Sequence, residues 1–393
     1  MNNSKLSDIK TLVILSVVTF LGFIDTVLLL PIISLYAEEL GATIGVTGLI
    51  VGLYSIANTP ANILFGKLID KIGQKLPLFA GLLGDAVCLF LYSLCRVPAH
   101  LAAVRFFHGV AGGMVGPATM SALSECSLKS GRGRIMGIYG IAIASATMIG
   151  YPVSGLIATR LGYDALFYIT STLLFLASLF ALALPRRVEN ACENKSNDSS
   201  SFSKILNLLK RPGLRVAYIS IVALYFSFGG LITLLPFHIA NLGFDAMHVG
   251  ILLGMFSLTF ILVQVPVGRM SDSVGRLKPA AFGLLLCLVS LALLPSMENM
   301  LSLGITMAVF GVSFGFIFPS ISSLVIDNSQ SHERGLATGV FHALLTVGVA
   351  GGAPVVGAIG QWIGVTPALY VSLGVVVLAL FITLRQIVSQ RSP

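Results

Sequence analysis

The amino-acid sequence predicts an all-α membrane protein with twelve transmembrane helices in two six-helix bundles that are related by a parallel repeat. Composition is the first observation: of 393 residues, 56% are hydrophobic and 10% are charged, whereas soluble domains carry about 25% charged residues. Apolar stretches are the second, because a helix needs about 20 such residues to cross a hydrocarbon core. An internal repeat is the third observation: several residues of the first half recur, with the same identity, 202 positions later in the sequence, as Gly66 does at Gly268.

The apolar stretches predict twelve spans with short loops between most of them. They cover residues 11–36, 46–65, 77–95, 101–126, 135–158, 164–185, 216–240, 247–267, 280–296, 301–326, 336–360 and 366–385. The first stretch is longer than the apolar core of a signal peptide and lacks a small-residue cleavage site. We therefore interpret it as the first span.

One long polar segment interrupts this pattern. Residues 186–215 are rich in Ser, Asn and Lys, which is typical of a flexible linker. The linker separates an N-terminal bundle, residues 1–185, from a C-terminal bundle, residues 216–393. Because no other loop has room for a soluble catalytic domain, this organisation argues against an enzyme.

The repeat distinguishes shared architecture from chemistry that one half carries alone. Several Gly, Asp, Pro and Arg residues of the first half have identical partners in the second. In the first half they are Gly66, Asp70, Gly73, Pro77, Gly109, Gly113, Pro117, Arg132, Gly137, Gly150, Pro152 and Gly155. Parallel repeats of membrane-embedded units are typical of secondary transporters. A polar intramembrane residue that occurs in one copy only is therefore a candidate for substrate or ion coupling.

The net charge of +8 reflects membrane topology and predicts no nucleic-acid partner. With a cytoplasmic N-terminus, all 24 basic residues fall on the cytoplasmic side except Arg96, Arg105 and Arg160. The positive-inside rule then predicts a multi-pass protein of the cell (inner) membrane with both termini and the linker in the cytoplasm. The five cysteines have no metal-ligand spacing and no phosphate-binding loop occurs, so we expect neither a metal site nor a cofactor.

Two predicted cytoplasmic turns share a sequence pattern. The turn after the second span reads GKLIDKIGQKLP, and the turn after the eighth reads GRMSDSVGRLKP. Both resemble the loop signature of the major facilitator superfamily. The resemblance covers the whole chain, since twelve spans, two halves and a polar central linker agree with it. It implies two bundles that alternate access around a central cavity.

Charged residues near these turns predict a cytoplasmic latch that breaks when the transporter opens inward. Asp327 is positioned to pair with Arg276, and Glu125 with Lys75, because carboxylates at helix ends attract nearby cations. Alternatively, the bases are positive-inside anchors with incidental acids, although that rule is indifferent to Asp and Glu. The predicted latch comprises Gly66, Asp70, Gly73, Lys75, Glu125, Arg132, Gly268, Asp272, Gly275, Arg276, Asp327 and Arg334.

Three polar residues of the first half have no counterpart in the second. Asp25 lies near the middle of the first span, where an ionisable group costs about 2.5 to 3.5 kcal/mol. Arg105 and His108 lie three residues apart on the fourth span and share a helix face. We predict that Asp25 accepts a proton. Arg105 and His108 are predicted to tune the pKa of Asp25 and to help couple its protonation to the cavity. The alternative is a fixed ion pair that only braces two helices.

Four further polar residues at membrane depth are weaker candidates for the substrate path. They are Asp85, His238, Gln264 and His342. Family resemblance places the third helix, which carries Asp85, away from the cavity. A lone histidine is commonly satisfied by local hydrogen bonds, which is the alternative for His238 and His342.

The chain most resembles the drug:proton antiporter branch of the superfamily. Around Gly150, Pro152 and Gly155 the fifth span is similar to the antiporter signature, with Tyr151 and Leu156 where the signature has glycine. The resemblance implies proton-coupled efflux of a small, amphipathic or drug-like molecule by a monomer in the lipid bilayer. The alternatives are a proton symporter or facilitator that imports a small metabolite, and a lipid flippase of the same fold.

Overall fold

The computed structural model describes residues 3–130, 132–183, 201–330 and 333–390, with side chains for 14–69, 71–122, 140–183, 205–330 and 333–390. Over these ranges the regular structure is helical, without a strand. The first half contains α1 (Asn3–Leu29), α2 (Ile33–Glu39), α3 (Ile44–Ile72), α4 (Lys75–Tyr92), α5 (Pro98–Ser130), α6 (Arg132–Leu161) and α7 (Tyr163–Leu182). The second contains α8 (Ser201–Lys210), α9 (Pro212–Asn241), α10 (Ala246–Val274), α11 (Leu277–Leu293), α12 (Met300–Asp327), α13 (Arg334–Ile363), α14 (Val365–Leu369) and α15 (Val371–Ser389).

Each predicted span is helical, and those at 11–36 and 366–385 are each divided between two helices, which agrees with the all-α membrane class. Ten helices of the described chain are long and apolar enough to cross a membrane, and α1 with α2 forms an eleventh span bent by 47°. Pro31 lies in that break, where its ring removes a helical hydrogen bond. The predicted fourth span, α5, is less apolar than the others because it carries several glycines together with Arg105 and His108.

The end of the predicted linker is helical. Residues 186–200 lie outside the described residues, but α8 covers 201–210 and α9 begins at Pro212, ahead of the predicted start at 216. Proline is favoured at the first position of a helix because its missing N–H has no partner there. Polar composition concealed the amphipathic pattern of α8, whose Leu208 is buried while Lys210 is exposed. An apolar face of this kind lets a short helix pack against its neighbour α9.

The chain divides into two units that each contain a short segment from the other half of the sequence. The first unit comprises Met1–Ala42, Leu53–Asn194 and Asp245–Gly250. The second comprises Thr43–Gly52, Lys195–Phe244 and Ile251–Pro393. The predicted bundles therefore correspond to the larger part of each unit. The start of α3 belongs to the second unit, and the start of α10 belongs to the first.

Close helix contacts explain the exchanged segments. In the first unit, a Cβ on Gly155 would lie 2.4 Å from the Ala246 carbonyl oxygen. In the second, a Cβ on Gly48 would lie 2.4 Å from the Ala353 carbonyl oxygen. Only glycine permits such an approach, which gives membrane helices their van der Waals contact. Each unit therefore holds its exchanged segment by the same kind of backbone contact.

Helix packing in the first unit brings the predicted polar residues to one place. α5 packs against both α1 and α4, and α4 also packs against α7. A Cβ on Gly109 of α5 would lie 2.3 Å from the Tyr54 carbonyl oxygen of α3. This small residue lets α3 approach the same region as α1 and α4.

Candidate functional site

Four ionisable side chains from three helices lie buried together in the first unit. Asp25 is on α1, Asp85 on α4, and Arg105 and His108 are one turn apart on α5. None of the four has more than 1% of its surface exposed. We call these four residues the buried charge cluster. The structure thus brings together the three residues of the predicted coupling site and adds Asp85.

His108 occupies the centre of the buried charge cluster. Its Nε2 lies 3.0 Å from Asp25 Oδ2 and 3.7 Å from Asp85 Oδ1. Its Nδ1 lies 2.9 Å from the Tyr92 hydroxyl oxygen. A neutral imidazole that donates from Nε2 to Asp25 accepts the Tyr92 hydroxyl hydrogen at Nδ1. The ring therefore connects a phenol to a carboxylate and lies beside a second carboxylate.

The two carboxylates of the cluster have different surroundings. Asp25 contacts His108 through Oδ2 and accepts the Thr26 backbone N–H at Oδ1. Neither carboxylate oxygen of Asp85 has a hydrogen-bond partner in the described part of the chain. Burying an ionised carboxylate without a partner is costly. Asp85 is therefore the group in this cluster that most needs a proton or a bound cation.

Asp85 lies beside the residues of the predicted coupling site. Family resemblance places the third span away from the cavity, and in the structure its helix, α4, packs directly on α5. Asp85 is fully buried beside His108 as a result. Sequence spacing could not reveal this contact because it depends on the rotation of α4 about its axis.

Arg105 contacts an aromatic ring of α3. Its guanidinium carbon lies 4.9 Å from the centroid of the Tyr54 ring, a cation–π geometry. Its Nε and Nη1 atoms have no hydrogen-bond partner among the described atoms, and no ion pair joins it to Asp25 over the same residues. The alternative of a fixed Asp25–Arg105 brace is therefore not the arrangement in this structure.

The donor set of the cluster suits a proton or a small cation. One ligand atom each from Asp25, Asp85 and His108 lies within 4.8 Å of the others. Carboxylate oxygens and a neutral imidazole nitrogen exchange protons readily, and the same atoms are ligands for cations. With two carboxylates and one guanidinium, the cluster has one more negative than positive group.

The second unit carries aromatic side chains at the repeat-related positions. Phe256 lies 5.4 Å from Phe228, 5.6 Å from Phe310 and 5.1 Å from Phe314, measured between ring centroids. We call these four residues the aromatic cluster. By the repeat offset, Phe256 corresponds to Tyr54, Phe310 to His108 and Cys287 to Asp85. The second half thus has apolar packing where the first half has charge.

Three other predicted polar residues lie in the second unit. His238 is buried, and its Nε2 has no hydrogen-bond partner among the described atoms. Gln264 is half-buried on α10. His342 is exposed on α13, with its ring 5.7 Å from that of Phe341. The structure does not gather these three residues into one site.

The antiporter-like segment of α6 contacts two helices. A Cβ on Gly150 would lie 2.7 Å from a Val27 side-chain carbon of α1, and Gly155 meets the start of α10 as described above. Between them, the Ser154 hydroxyl donates to the Leu28 carbonyl oxygen. Pro152 lies inside the helix without ending it. The segment holds α6 close to the helix that carries Asp25.

Ion pairs join three residues of the predicted latch in the second half. Arg276 Nε donates to Asp327 Oδ2 at 2.8 Å, and Nη1 donates to Asp272 and, at 2.9 Å, to the Ser271 hydroxyl. The hydrogen bonds from Asp327 and then Asp272 raise the pKa of the Arg276 guanidinium above its ordinary value. Arg334 is exposed and has no ion pair within the described ranges.

The latch of the first half falls largely outside the described side chains. This holds for Asp70, Glu125 and Arg132. Lys75 is half-buried at the start of α4. The repeated glycines Gly73 and Gly275 adopt φ of 81° and 88° at the two turns, a conformation that favours glycine over other residues.

Sequence reasoning missed two tyrosines of the site. Tyr92 binds His108 Nδ1, and Tyr54 lies under Arg105 and receives a hydrogen bond from the Thr26 hydroxyl at 3.1 Å. Tyr54 has Phe256 as its repeat partner, and Tyr92 has Leu294. The rule that selected Asp25, a polar group in one copy only, would have found both hydroxyls had it been extended to tyrosine.

Comparison with protein families places the whole chain in one of them. The sequence model of the Major Facilitator Superfamily matches residues 15–341 and 217–392. An uncharacterised MFS-type transporter of Methanocaldococcus jannaschii is 25% identical over 91% of this chain and 92% of its own. The multidrug resistance protein MdtG of Klebsiella pneumoniae is 24% identical over 84% of this chain and 82% of its own.

Solved structures show the same fold. A crystal structure of the nucleoside transporter NupG superimposes with a TM-score of 0.84 over 95% of this chain and 99% of that one. Its sequence is 17% identical. At this identity the likeness concerns the arrangement of the helices and carries no information on the substrate.

Proposed function

We propose that this chain, which belongs to the major facilitator superfamily, is a proton-coupled exporter of small amphipathic molecules. Its family makes it a multi-pass membrane transporter, and the proposal concerns the coupling ion and the direction. One observation carries the coupling: two carboxylates, one guanidinium and a bridging imidazole share a site that is at most 1% exposed.

The charge of the buried charge cluster explains why it would hold a proton. With both aspartates ionised and His108 neutral, its four side chains carry one net negative charge. An uncompensated buried charge is costly, so a cluster closed to water holds one proton more. His108 lies 3.0 Å from Asp25 and 3.7 Å from Asp85, so its ring provides a path for that proton.

Alternating access would convert this proton site into a coupling device. When a rearrangement admits water, hydration stabilises the ionised carboxylates and the proton leaves. Arg105 has two nitrogens without hydrogen-bond partners among the described atoms, so it is available to an aspartate that has lost its proton. A substrate that binds more tightly to the transporter with the cluster deprotonated then links substrate flux to proton flux. The link works both ways, because proton binding and substrate binding affect each other equally.

Similarity supports export and an amphipathic substrate. The relative MdtG is named for multidrug resistance. The segment with Gly150, Pro152 and Gly155 resembles the antiporter signature and packs against the helix that carries Asp25. His342 and Gln264 are accessible polar groups of the second unit that we propose as substrate contacts.

Topology and gating complete the proposal. We place both termini in the cytoplasm, because nearly all basic residues then lie on that side. Arg276 with Asp272 and Asp327 would act as the cytoplasmic latch. In this proposal the chain works as a monomer, since the buried charge cluster lies within one unit.

Flux measurements in proteoliposomes with an imposed pH gradient test the proposal. Ethidium serves as the amphipathic probe, and glucose and citrate serve as probes of metabolite import. We expect ethidium to move opposite to protons, and Asp25→Asn to reduce this flux at least about 100-fold, as expected when an essential proton-transfer group is lost. Asp164→Asn, the same change at an exposed acid of α7, should leave the flux unaltered.

Other outcomes would replace the proposal with a defined alternative. Undiminished pH-driven flux in Asp25→Asn would remove Asp25 from coupling. Movement of glucose or citrate with protons would indicate a symporter, and movement of a probe down its own concentration gradient that does not respond to the pH gradient would indicate a facilitator. Dependence on sodium instead of pH would make the buried charge cluster a cation site, and movement of labelled lipid alone would indicate a flippase.

A further inference from the structure

A cleft opens between the start of α9 and the end of α15 in the second unit. Its volume is about 670 Å³, which is within the range of small-molecule sites, about 300 to 1,000 Å³. The cleft lies at the end of the unit that we predict to be cytoplasmic. It is separate from the buried charge cluster, which belongs to the other unit.

The polar wall of the cleft carries two arginines without acidic partners. Arg215 and Arg385 both line it and are both exposed. Neither forms an ion pair or a side-chain hydrogen bond with any described residue. Nearby Arg211, in contrast, is paired with Glu333. The cleft therefore concentrates two guanidinium charges that the rest of the described chain does not neutralise.

Further into the two helices the cleft lining is apolar. Ile219 lies one turn beyond Arg215 on α9, Phe381 lies one turn before Arg385 on α15, and the Phe381 side chain is 63% exposed. Both helices are apolar over lengths that suit a membrane span, so this apolar lining continues toward the hydrocarbon region. A ligand that fills the cleft thus meets charge at one end and an apolar surface at the other.

The neighbouring helix places the cleft at the membrane surface. α8 is amphipathic and leads directly into α9, with Leu208 buried and Lys210 exposed. Short amphipathic helices with basic residues lie in the interface between headgroups and acyl chains. We therefore expect the two arginines of the cleft to lie at the depth of lipid headgroups.

We propose that this cleft binds an anionic phospholipid of the cytoplasmic leaflet. Arg215 and Arg385 contact the phosphodiester, because a guanidinium matches phosphate oxygens with paired N–H donors. Gln386, also in the wall, hydrogen-bonds the headgroup. An acyl chain lies along Ile219 and Phe381. A free phosphate would use the arginines but leave the apolar lining uncovered, so the geometry favours the lipid.

Native mass spectrometry of the purified full-length chain tests this site. The protein in detergent is titrated with phosphatidylglycerol, with phosphatidylcholine and with inorganic phosphate. We expect retention of phosphatidylglycerol in preference to the other two. Replacing both arginines (Arg215→Gln with Arg385→Gln) should weaken that binding about 30-fold, since each basic residue near an anionic headgroup contributes about five- to sixfold.

A matched control removes two charges elsewhere. Arg269→Gln with Lys278→Gln alters two exposed basic residues of the same unit without an ion pair in the described chain, and should leave lipid retention unaltered. Phe381→Ser keeps both charges and should weaken the lipid severalfold without affecting phosphate. This variant also tests the site if the double arginine variant does not fold.

Three results would overturn the proposal. They are equal retention of phosphatidylcholine, equal loss of lipid in the control variant, and phosphate binding that competes with the lipid and is insensitive to Phe381→Ser. None of them bears on proton coupling, which depends on residues of the first unit.

Discussion

The buried charge cluster and the aromatic cluster occupy related positions of one repeated fold and have opposite chemistry. In the first, ligand atoms of Asp25, Asp85 and His108 lie within 4.8 Å of one another. In the second, Phe256 and Phe310 pack with their ring centroids 5.6 Å apart. Packed aromatic rings need no hydrogen-bond or charge partner, whereas a buried charge does. At these related positions the repeat has thus kept the helix arrangement, while the described side chains are ionisable in one copy and aromatic in the other.

Replacing His108 by the residue of the other copy tests this comparison most severely. In His108→Phe, Asp25 and Asp85 lose the imidazole that contacts both of them. The phenyl ring that replaces it has no hydrogen-bond donor. We expect pH-driven flux to fall at least about 100-fold, and stability to fall by about 3 kcal/mol because a buried pair is broken. Flux assays and thermal unfolding in detergent measure the two effects.

A control at the related position separates coupling from packing. Phe310→Leu removes a buried ring of the aromatic cluster and should lower the melting temperature while leaving proton-coupled flux intact. Full pH-driven flux in His108→Phe would mean that the imidazole is only a packing element.

The second prediction concerns Asp85, whose repeat partner is Cys287. Asp85→Cys removes two carboxylate oxygens without hydrogen-bond partners among the described atoms. We expect a gain in stability of about 1 to 3 kcal/mol, because an unsatisfied buried group is lost. Asp85→Cys also removes one of the two carboxylates that can hold the proton. We therefore expect the pH-driven flux to fall about tenfold, which corresponds to about 1.4 kcal/mol.

The reciprocal site supplies the control for Asp85. Cys287→Ala changes a fully buried side chain of the second unit and should affect neither proton coupling nor its pH dependence. If Asp85→Cys destabilised the protein and left coupling intact, Asp85 would be a structural residue.

A smaller effect is expected at the latch. Arg276→Gln removes ion pairs to Asp272 and Asp327, both of which are exposed. Each exposed pair contributes about 0.2 to 1 kcal/mol, so the population of the open state should rise by about 1.4- to fivefold for each pair that is lost. Labelling of a cysteine introduced at Val274, with Cys126 and Cys192 replaced by serine, measures the change. Lys278→Gln should leave the labelling rate unaltered, and a similar increase in that control would contradict a specific latch.

The smallest effect should follow from making Tyr54 like its repeat partner Phe256. Tyr54→Phe loses the hydrogen bond with Thr26 and keeps the ring under Arg105. We expect a stability loss of about 0.5 to 1.5 kcal/mol and flux within about twofold of the natural protein. A large loss of coupling would show that the hydroxyl itself takes part in proton transfer.

Sequence reasoning identified the residues whose free-energy cost depends only on their depth in the membrane. Asp25 stood out because a carboxylate in the middle of a span is expensive wherever the helix packs. Arg105 and His108 stood out for the same reason and because their partners are apolar. The contact of His108 with Asp85, in contrast, depends on how α4 and α5 rotate against each other, and spacing within one helix does not determine that rotation.

Charge pairing across helices shows the same division. The pair between Arg276 and Asp327 was predicted and is present, since both lie at turns on the same side of the membrane. Arg105, which we predicted to act on Asp25, lies in the same buried charge cluster with its guanidinium over the Tyr54 ring. A long side chain reaches several partners from one backbone position, and only the packed neighbours decide which partner it meets.

The sequence by itself determined the class, the spans and the asymmetry between the halves. Long apolar runs must become helices in lipid because each backbone group needs an internal hydrogen bond. The tertiary structure alone decided the membership of the buried charge cluster, the break between α1 and α2, and the cleft with Arg215 and Arg385. Those features depend on contacts between helices distant in the chain, and such contacts arise from side-chain packing in three dimensions.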